Sequence, residues 1–247
     1  MLRVRGVSLR YPNGKLALTD FDLTVDAGEL VVVLGGNGSG KTTLLRCITR
    51  TVKPSSGEIW LGDTDLCPLE GERLRRARLP LAMISQYASL VRRRSVLANV
   101  ATGALGRHST LSSAFGRLPA SELEAARGYL GDVNLADLAE QRAGTLSGGQ
   151  AQRVAIARAL AQRPRVLLAD EPVASLDPEA AEEIMRLLQR LARSEQIAVL
   201  CVLHQVELAY SFADRVVGIR NGRIAFNLPR AQVSRDAVHQ LYMHEAA

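Results

Sequence analysis

Short, nearly unbroken apolar runs alternate along this chain with longer stretches in which apolar residues recur every three or four positions. The first such run is Glu29-Leu30-Val31-Val32-Val33-Leu34. It ends in a glycine cluster, and the spacing beyond predicts a helix over residues 41–50. Runs of the same kind at 81–85, 165–169 and 197–203 predict further strands. A strand wetted on one face alternates apolar with polar. Strands that do not alternate belong to a sheet covered on both faces, the parallel sheet of an α/β fold. Pro178, directly after Asp177, lacks an N–H that a first helical turn does not need, so a helix is predicted from there to about residue 193.

Two regions break the alternation. The first 30 residues and residues 57–62 have β character, which predicts a smaller antiparallel sheet against the core. Residues 87–160 hold no convincing strand, and their helical patterns are broken at Gly103, Gly106, Gly116 and Pro119. This predicts a helical lobe inserted between core strands. Near the end, β runs at 215–219 and 223–226 flank Arg220-Asn221-Gly222, a strong hairpin signal, and a short helix follows. The expected organisation is one domain over residues 1–247. The β subdomain and first part of the core occupy 1–86, the helical subdomain 87–160, and the second part of the core with the hairpin 161–247.

Composition narrows this little. A chain of 247 residues that is 47% hydrophobic and 23% charged can bury a proper core and is ordinary globular protein. The formal charge of +6 is carried almost wholly by arginine. The basic runs at 73–78 and 92–94 lack interleaved aromatics, so they are read as solvated faces and no nucleic-acid partner is expected. Cys47, Cys67 and Cys201 are odd in number and without metal-ligand spacing, and the apolar surroundings of Cys47 and Cys201 suit buried free thiols in a reducing compartment. Arg3, Arg5 and Arg10 precede no apolar segment of the kind a signal peptide needs, and no apolar run approaches the roughly 20 residues of a membrane span. A cytosolic protein is expected, with any membrane connection made through a partner.

Gly35-Gly36-Asn37-Gly38-Ser39-Gly40-Lys41-Thr42 fits the phosphate-loop pattern G-x-x-x-x-G-K-[ST], in the strand–turn–helix context that gives it meaning. Glycines let backbone N–H groups converge on an anion, and the helix N-terminus adds a favourable field. Lys41 would place a point charge at the β- and γ-phosphates, and Thr42 a hydroxyl on Mg²⁺. The strand at 165–169 runs into Asp170 and Glu171, at the end of an open sheet where α/β folds bind ligands. Asp170 could hold Mg²⁺ through water, and Glu171 could polarise an attacking water. In Leu146-Ser147-Gly148-Gly149-Gln150, Ser147 is a good N-cap for a helix continuing over 152–162, so the segment offers a second anion-seeking helix end. One nucleotide site does not need two of these. A head-to-tail dimer uses both, the segment of one subunit capping the γ-phosphate held by the other. A capped helix after a flexible turn would account for Ser-Gly-Gly alone, but not for the other motifs arriving in this order.

Over essentially its whole length the chain resembles the ATP-binding-cassette (ABC) ATPases, and Leu146-Ser147-Gly148-Gly149-Gln150 matches that family's signature segment. The resemblance implies a P-loop, RecA-like core with an antiparallel β subdomain and an inserted helical subdomain, hydrolysing ATP with Mg²⁺. The ATP-binding set would run from Gly35 through Thr43, with Ser147, Gly148, Gly149 and Gln150 acting in trans. Tyr11 looks like the aromatic that stacks on adenine, a reading preferred here to that of a half-buried strand tyrosine. Gln86 looks like the glutamine that touches Mg²⁺ and water and links the core to the helical lobe. Ser175, Leu176 and Asp177 resemble the loop that crosses the dimer interface, and His204 the histidine that contacts the γ-phosphate. Implied partners are a second copy, transmembrane permease subunits and, indirectly, a solute-binding protein, with the chain peripheral on the cytoplasmic face of the inner membrane.

Local texture is similar to the ATPases of phosphonate importers, notably residues 168–178, 99–103, 203–209 and 214–224. Ser85 and Tyr87 beside Gln86, Gly36 in the phosphate loop and Leu228 before Pro229 depart from the usual family pattern, and none removes a catalytic group. An importer for an amino acid or another small solute, a non-transport single-cassette ATPase, and a kinase with a phosphate loop are the rival readings. The kinase has no use for the segments at 146–150 and 174–177.

Overall fold

The computed structural model describes residues 1–108 and 118–243. Two sheets carry the fold. Strands β1 (Leu2–Arg10), β2 (Leu16–Val25), β4 (Ser56–Leu61) and β5 (Thr64–Asp65) form an antiparallel sheet in the order β2-β1-β4-β5. Strands β3 (Leu30–Leu34), β6 (Leu81–Ile84), β7 (Val166–Asp170), β8 (Ala198–Val202), β9 (Arg215–Arg220) and β10 (Arg223–Pro229) form the larger one, in the order β10-β9-β3-β8-β7-β6. It is parallel except for β10, which returns from β9 through the Asn221-Gly222 turn.

The unbroken apolar run of β3 has a direct cause. Its five side chains are buried, but alternate ones enter different layers. Val31 and Val33 pack with Leu44, Leu45 and Ile48 of helix α1 (Lys41–Ile48) and with the antiparallel sheet. Leu30, Val32 and Leu34 pack on the opposite side, in the cluster that contains Ile184, Met185 and Leu188 of α6 (Pro178–Ser194) and the helical segment. Burying each such side chain is worth about 1.5–3 kcal/mol, so a polar residue anywhere in β3 would be costly.

Between β6 and β7 lie α3 (Val96–Ala101), a 3₁₀ turn over Thr102–Arg107, α4 (Ala120–Asp132), short 3₁₀ turns at Ala136–Leu138 and Ala143–Thr145, and α5 (Gly148–Leu160). Among the described residues this stretch has no strand, only an isolated bridge between Ser95 and Arg142. Gly116 lies outside the described residues.

Several boundaries differ from expectation. Helix α1 stops at Ile48, because Arg50 turns to φ 53° and sends its guanidinium to the carbonyls of Leu66, Cys67 and Leu69. Strand β7 is shifted one residue, pairing Asp170 with Val202. Three elements were not expected: β5, α2 (Gly71–Ala77) and α7 (Val206–Phe212). Helix α2 buries no side chain, so it has no apolar period to reveal it. Its arginines are solvated as expected, Arg75 and Arg76 sharing Glu72, and Arg92, Arg93 and Arg94 are exposed. All three cysteines are free; burial pushes the Cys47 thiol up to about 11 and the Cys201 thiol higher still, which keeps both protonated and inert. The short terminal helix is α8 (Arg235–Tyr242).

Candidate functional site: a phosphate loop and a carboxylate pair at the sheet end

The turn between β3 and α1 can be built only with glycine at two points. Gly40 sits at φ +114°, and a Cβ there would lie 2.8 Å from the Ala17 carbonyl oxygen. A Cβ on Gly35 would collide with the Ile219 carbonyl. The loop is thus wedged against the antiparallel sheet and β9, and its backbone faces a cavity of about 190 Å³. Tyr11, Lys15, Ala17, residues 37–43, Glu171 and His204 line it. The buried Lys41 ammonium donates to the carbonyls of Gly35 (2.7 Å) and Gly36 (2.8 Å). Thr42 is exposed at the mouth, and the Thr43 hydroxyl is 3.3 Å from that of Tyr11.

From the other side β7 delivers its carboxylates. Glu171 takes φ 51° while its N–H donates to the Val202 carbonyl, which turns its side chain out of the strand direction. Its Oε1 lies 2.6 Å from His204 Nε2, on the loop after β8. Asp170 has an Oδ1 that is buried without a hydrogen-bond partner. Burial, and then the neighbouring charge of Glu171, raise its pKa above the ordinary aspartate value, against the opposing charges of Arg46, Lys41 and His204.

The signature residues stand elsewhere. Ser147 caps α5 by accepting from the Gln150 N–H (3.2 Å), while Gln150 Oε1 accepts from the Ser147 N–H (3.0 Å), a reciprocal capping box. None of residues 147–150 lines the cavity. They abut the loop at 174–177 of the same chain instead: Gly148 faces Leu176, Gly149 faces Ala180, and Asp177 caps α6 through the Ala180 N–H. Gln86 is exposed beyond β6 and does not line the cavity either.

Sequence reasoning missed three residues. Lys15 lines the cavity. Gln152 and Arg158, on α5, reach back to the loop carrying Gln86: Gln152 Nε2 donates to the Ser85 carbonyl (3.3 Å), and Arg158 to those of Ala88 (2.7 Å) and Ser89 (2.9 Å). A signal existed for Gln152, a buried polar side chain interrupting the apolar stripe of α5.

A loop of converging N–H groups with a buried ammonium, facing carboxylates at the end of a parallel sheet, defines a nucleoside-triphosphate-hydrolysing class of protein. The ABC transporter family profile matches residues 18–174, and the chain belongs to that family as an ATP-hydrolysing transport subunit that binds nucleotide. It is 45% identical over 245 residues to the phosphonates import ATP-binding protein PhnC of Thiobacillus denitrificans, covering 99% of this chain and 93% of that one. It is 43% identical to PhnC 2 of a Synechococcus strain, covering 99% and 91%. Among solved structures it is similar to the ATP-binding cassette MJ0796, a dimer in a post-hydrolysis state bound to ADP and Pi (TM-score 0.79, 30% identity, 93% and 99% covered). Among the described residues no helix is long and apolar enough to cross a membrane.

Proposed function

We propose that this chain powers an importer of phosphonates or a related phosphorus oxyanion, working as a head-to-tail pair on the cytoplasmic face of the cell membrane. The observation that carries the reading is the division of the site. Lys41, Glu171 and His204 line one cavity and their charges act on the half-buried Asp170, while the capped helix end at Ser147 takes no part in that cavity. A second copy turned head to tail would present residues 147–150 to the γ-phosphate held by Lys41 and the loop 35–43, with Ser175, Leu176 and Asp177 at the crossing.

The residues fit a divalent cation. Asp170 offers an unpaired buried oxygen in a place where ionisation is disfavoured without a cation, and Thr42 of the phosphate loop would offer a hydroxyl. Gln86, on its loop, would complete the set. Mg²⁺ bound there would supply charge neutralisation for the β- and γ-phosphates. Glu171, held by His204, would orient the attacking water as Lys41 offsets the charge of the phosphoryl group, and His204 would contact the γ-phosphate. Tyr11, which also lines the cavity, would stack on the adenine ring.

The working units of the reading are residues 1–86, 87–160 and 161–247. Contact with the permease falls on a groove lined by Leu79, Met83, Thr102, Gly103, Gly106 and Arg158, where Met83 is 41% exposed. Gln152 and Arg158 tie the Gln86 loop to α5, so rotation of the helical unit on closure would move that groove. The cargo reading rests on relatives that are named for phosphonate import. A solute-binding protein would deliver the cargo.

The test is a vesicle-reconstituted complex of this chain with its permease and binding protein. Binding protein loaded with an alkylphosphonate is expected to raise ATP turnover several-fold and drive uptake. Stimulation by an amino acid and none by phosphonates would replace the cargo; no permease-dependent stimulation at all would favour a cassette acting outside transport.

A further inference from the structure

A glutamate in the first turn of a helix is ordinarily solvated, where it favours the helix dipole. Glu122 of α4 is buried instead, its side chain 8% exposed, and it gathers three basic groups. Arg107 Nη2 donates to its Oε2 at 2.6 Å, His108 Nε2 lies 3.1 Å from Oε1, and Arg163 Nη2 stands at 3.8 Å. Burial opposes its ionisation, yet the hydrogen bonds from Arg107 and His108 and the charges of Arg107 and Arg163 outweigh it and hold the carboxyl below its ordinary value.

The same Arg107 nitrogen also donates to the carbonyl of Ala161, the residue that ends α5, at 3.0 Å. Arg107 closes the 3₁₀ turn over Thr102–Arg107, and Thr102, Gly103 and Gly106 of that turn form one wall of the groove. One buried carboxylate therefore joins the start of α4, the end of the groove wall and the far end of the helix that Ser147 opens. Buried ion pairs seldom stabilise a fold more than well-packed apolar residues would, so fixing a geometry is a better account of this one than adding stability.

We propose that Glu122, through Arg107, is a positioning residue for coupling, locking the groove wall to α5 so that displacement of the Ser147 helix on ATP-driven closure moves the permease contact with it. The inference rests on the reading that the groove receives the permease. Glu122 does not line the nucleotide cavity, so its loss should leave ATP handling by the cassette alone intact.

Glu122→Gln removes the charge and keeps the shape. MgATP affinity and basal turnover of the isolated chain are expected within about twofold of wild type, while the ratio of cargo-stimulated to basal turnover in the reconstituted complex falls at least fivefold. A purely structural role would lower basal and stimulated rates together and leave their ratio unchanged; that result, or a ratio equal to wild type, overturns the inference. Arg107→Lys keeps a charge but loses the rigid, planar guanidinium that spans Glu122 and the Ala161 carbonyl, and it serves if the glutamine variant does not fold: a lowered ratio supports the lock, an unchanged one overturns it. A wild-type complex without stimulation would overturn the reading of the groove itself, and the inference with it.

Discussion

Asp170 ends β7 with one carboxylate oxygen buried and unpaired, which penalises the protein whenever the group is ionised. The sign follows from its raised pKa. A group bound more tightly to its proton when folded contributes stability below the unfolded value, near 3.8, and loses that contribution as pH rises through the folded value. At neutral pH the ionised side chain is therefore a net burden until a cation arrives. Asp170→Asn is expected to raise the thermal midpoint of the nucleotide-free protein while lowering ATP turnover by about 10–100-fold, as for loss of a contact that supports a metal. Calorimetry and a coupled hydrolysis assay would check both; a lowered midpoint would contradict the electrostatic account. At this scale the sequence was informative wherever chemistry demands fixed spacing: Lys41 and Thr42 in their loop, and Asp170 and Glu171 after an apolar strand. It was silent on Lys15 and Arg158, whose partners are backbone atoms or cavity walls brought near only by folding.

Helix α5 is the element on which the coupling account turns, since Ser147 opens it, Gln152 and Arg158 hold the Gln86 loop, and its end bears on Arg107. The 3₁₀ turn can lie against it because residue 103 has no side chain. A Cβ there would run into the Arg158 carbonyl and come within 3.0 Å of the Ala161 Cβ. Gly103→Ala is expected to destabilise the chain by about 1–3 kcal/mol, the usual range for overpacking. Urea denaturation would measure it, and an unchanged midpoint would mean that the turn and α5 part easily. Helices that bury a stripe, such as α1 and α6, were legible from their period. Helix α2 was not, because only Leu74 and Ala77 pack partly against the core and no side chain is fully buried, and α7, at seven residues, was too short for its period to stand out. Gly103 could be read only as a break in a helical pattern, its close contact with α5 being a product of the tertiary fold.

The two-layer burial of the parallel sheet was written in its unbroken apolar runs, whereas the strand order was not, because β3, β7 and β8 are nearly interchangeable as sequences. What the single chain leaves divided is the phosphate cavity and a capped helix end that takes no part in it. The ABC transporter family to which the chain belongs includes a dimeric cassette, MJ0796, bound to ADP and Pi, and two copies turned head to tail would unite the halves. Retaining ATP without hydrolysing it should then hold the pair together. The direct measurement is the mass of the Glu171→Gln protein by light scattering, with and without MgATP. A shift from monomer to dimer only with MgATP, together with loss of turnover, is the predicted result. A monomer at saturating MgATP, or turnover at the wild-type rate, would contradict the shared site or the role given to Glu171.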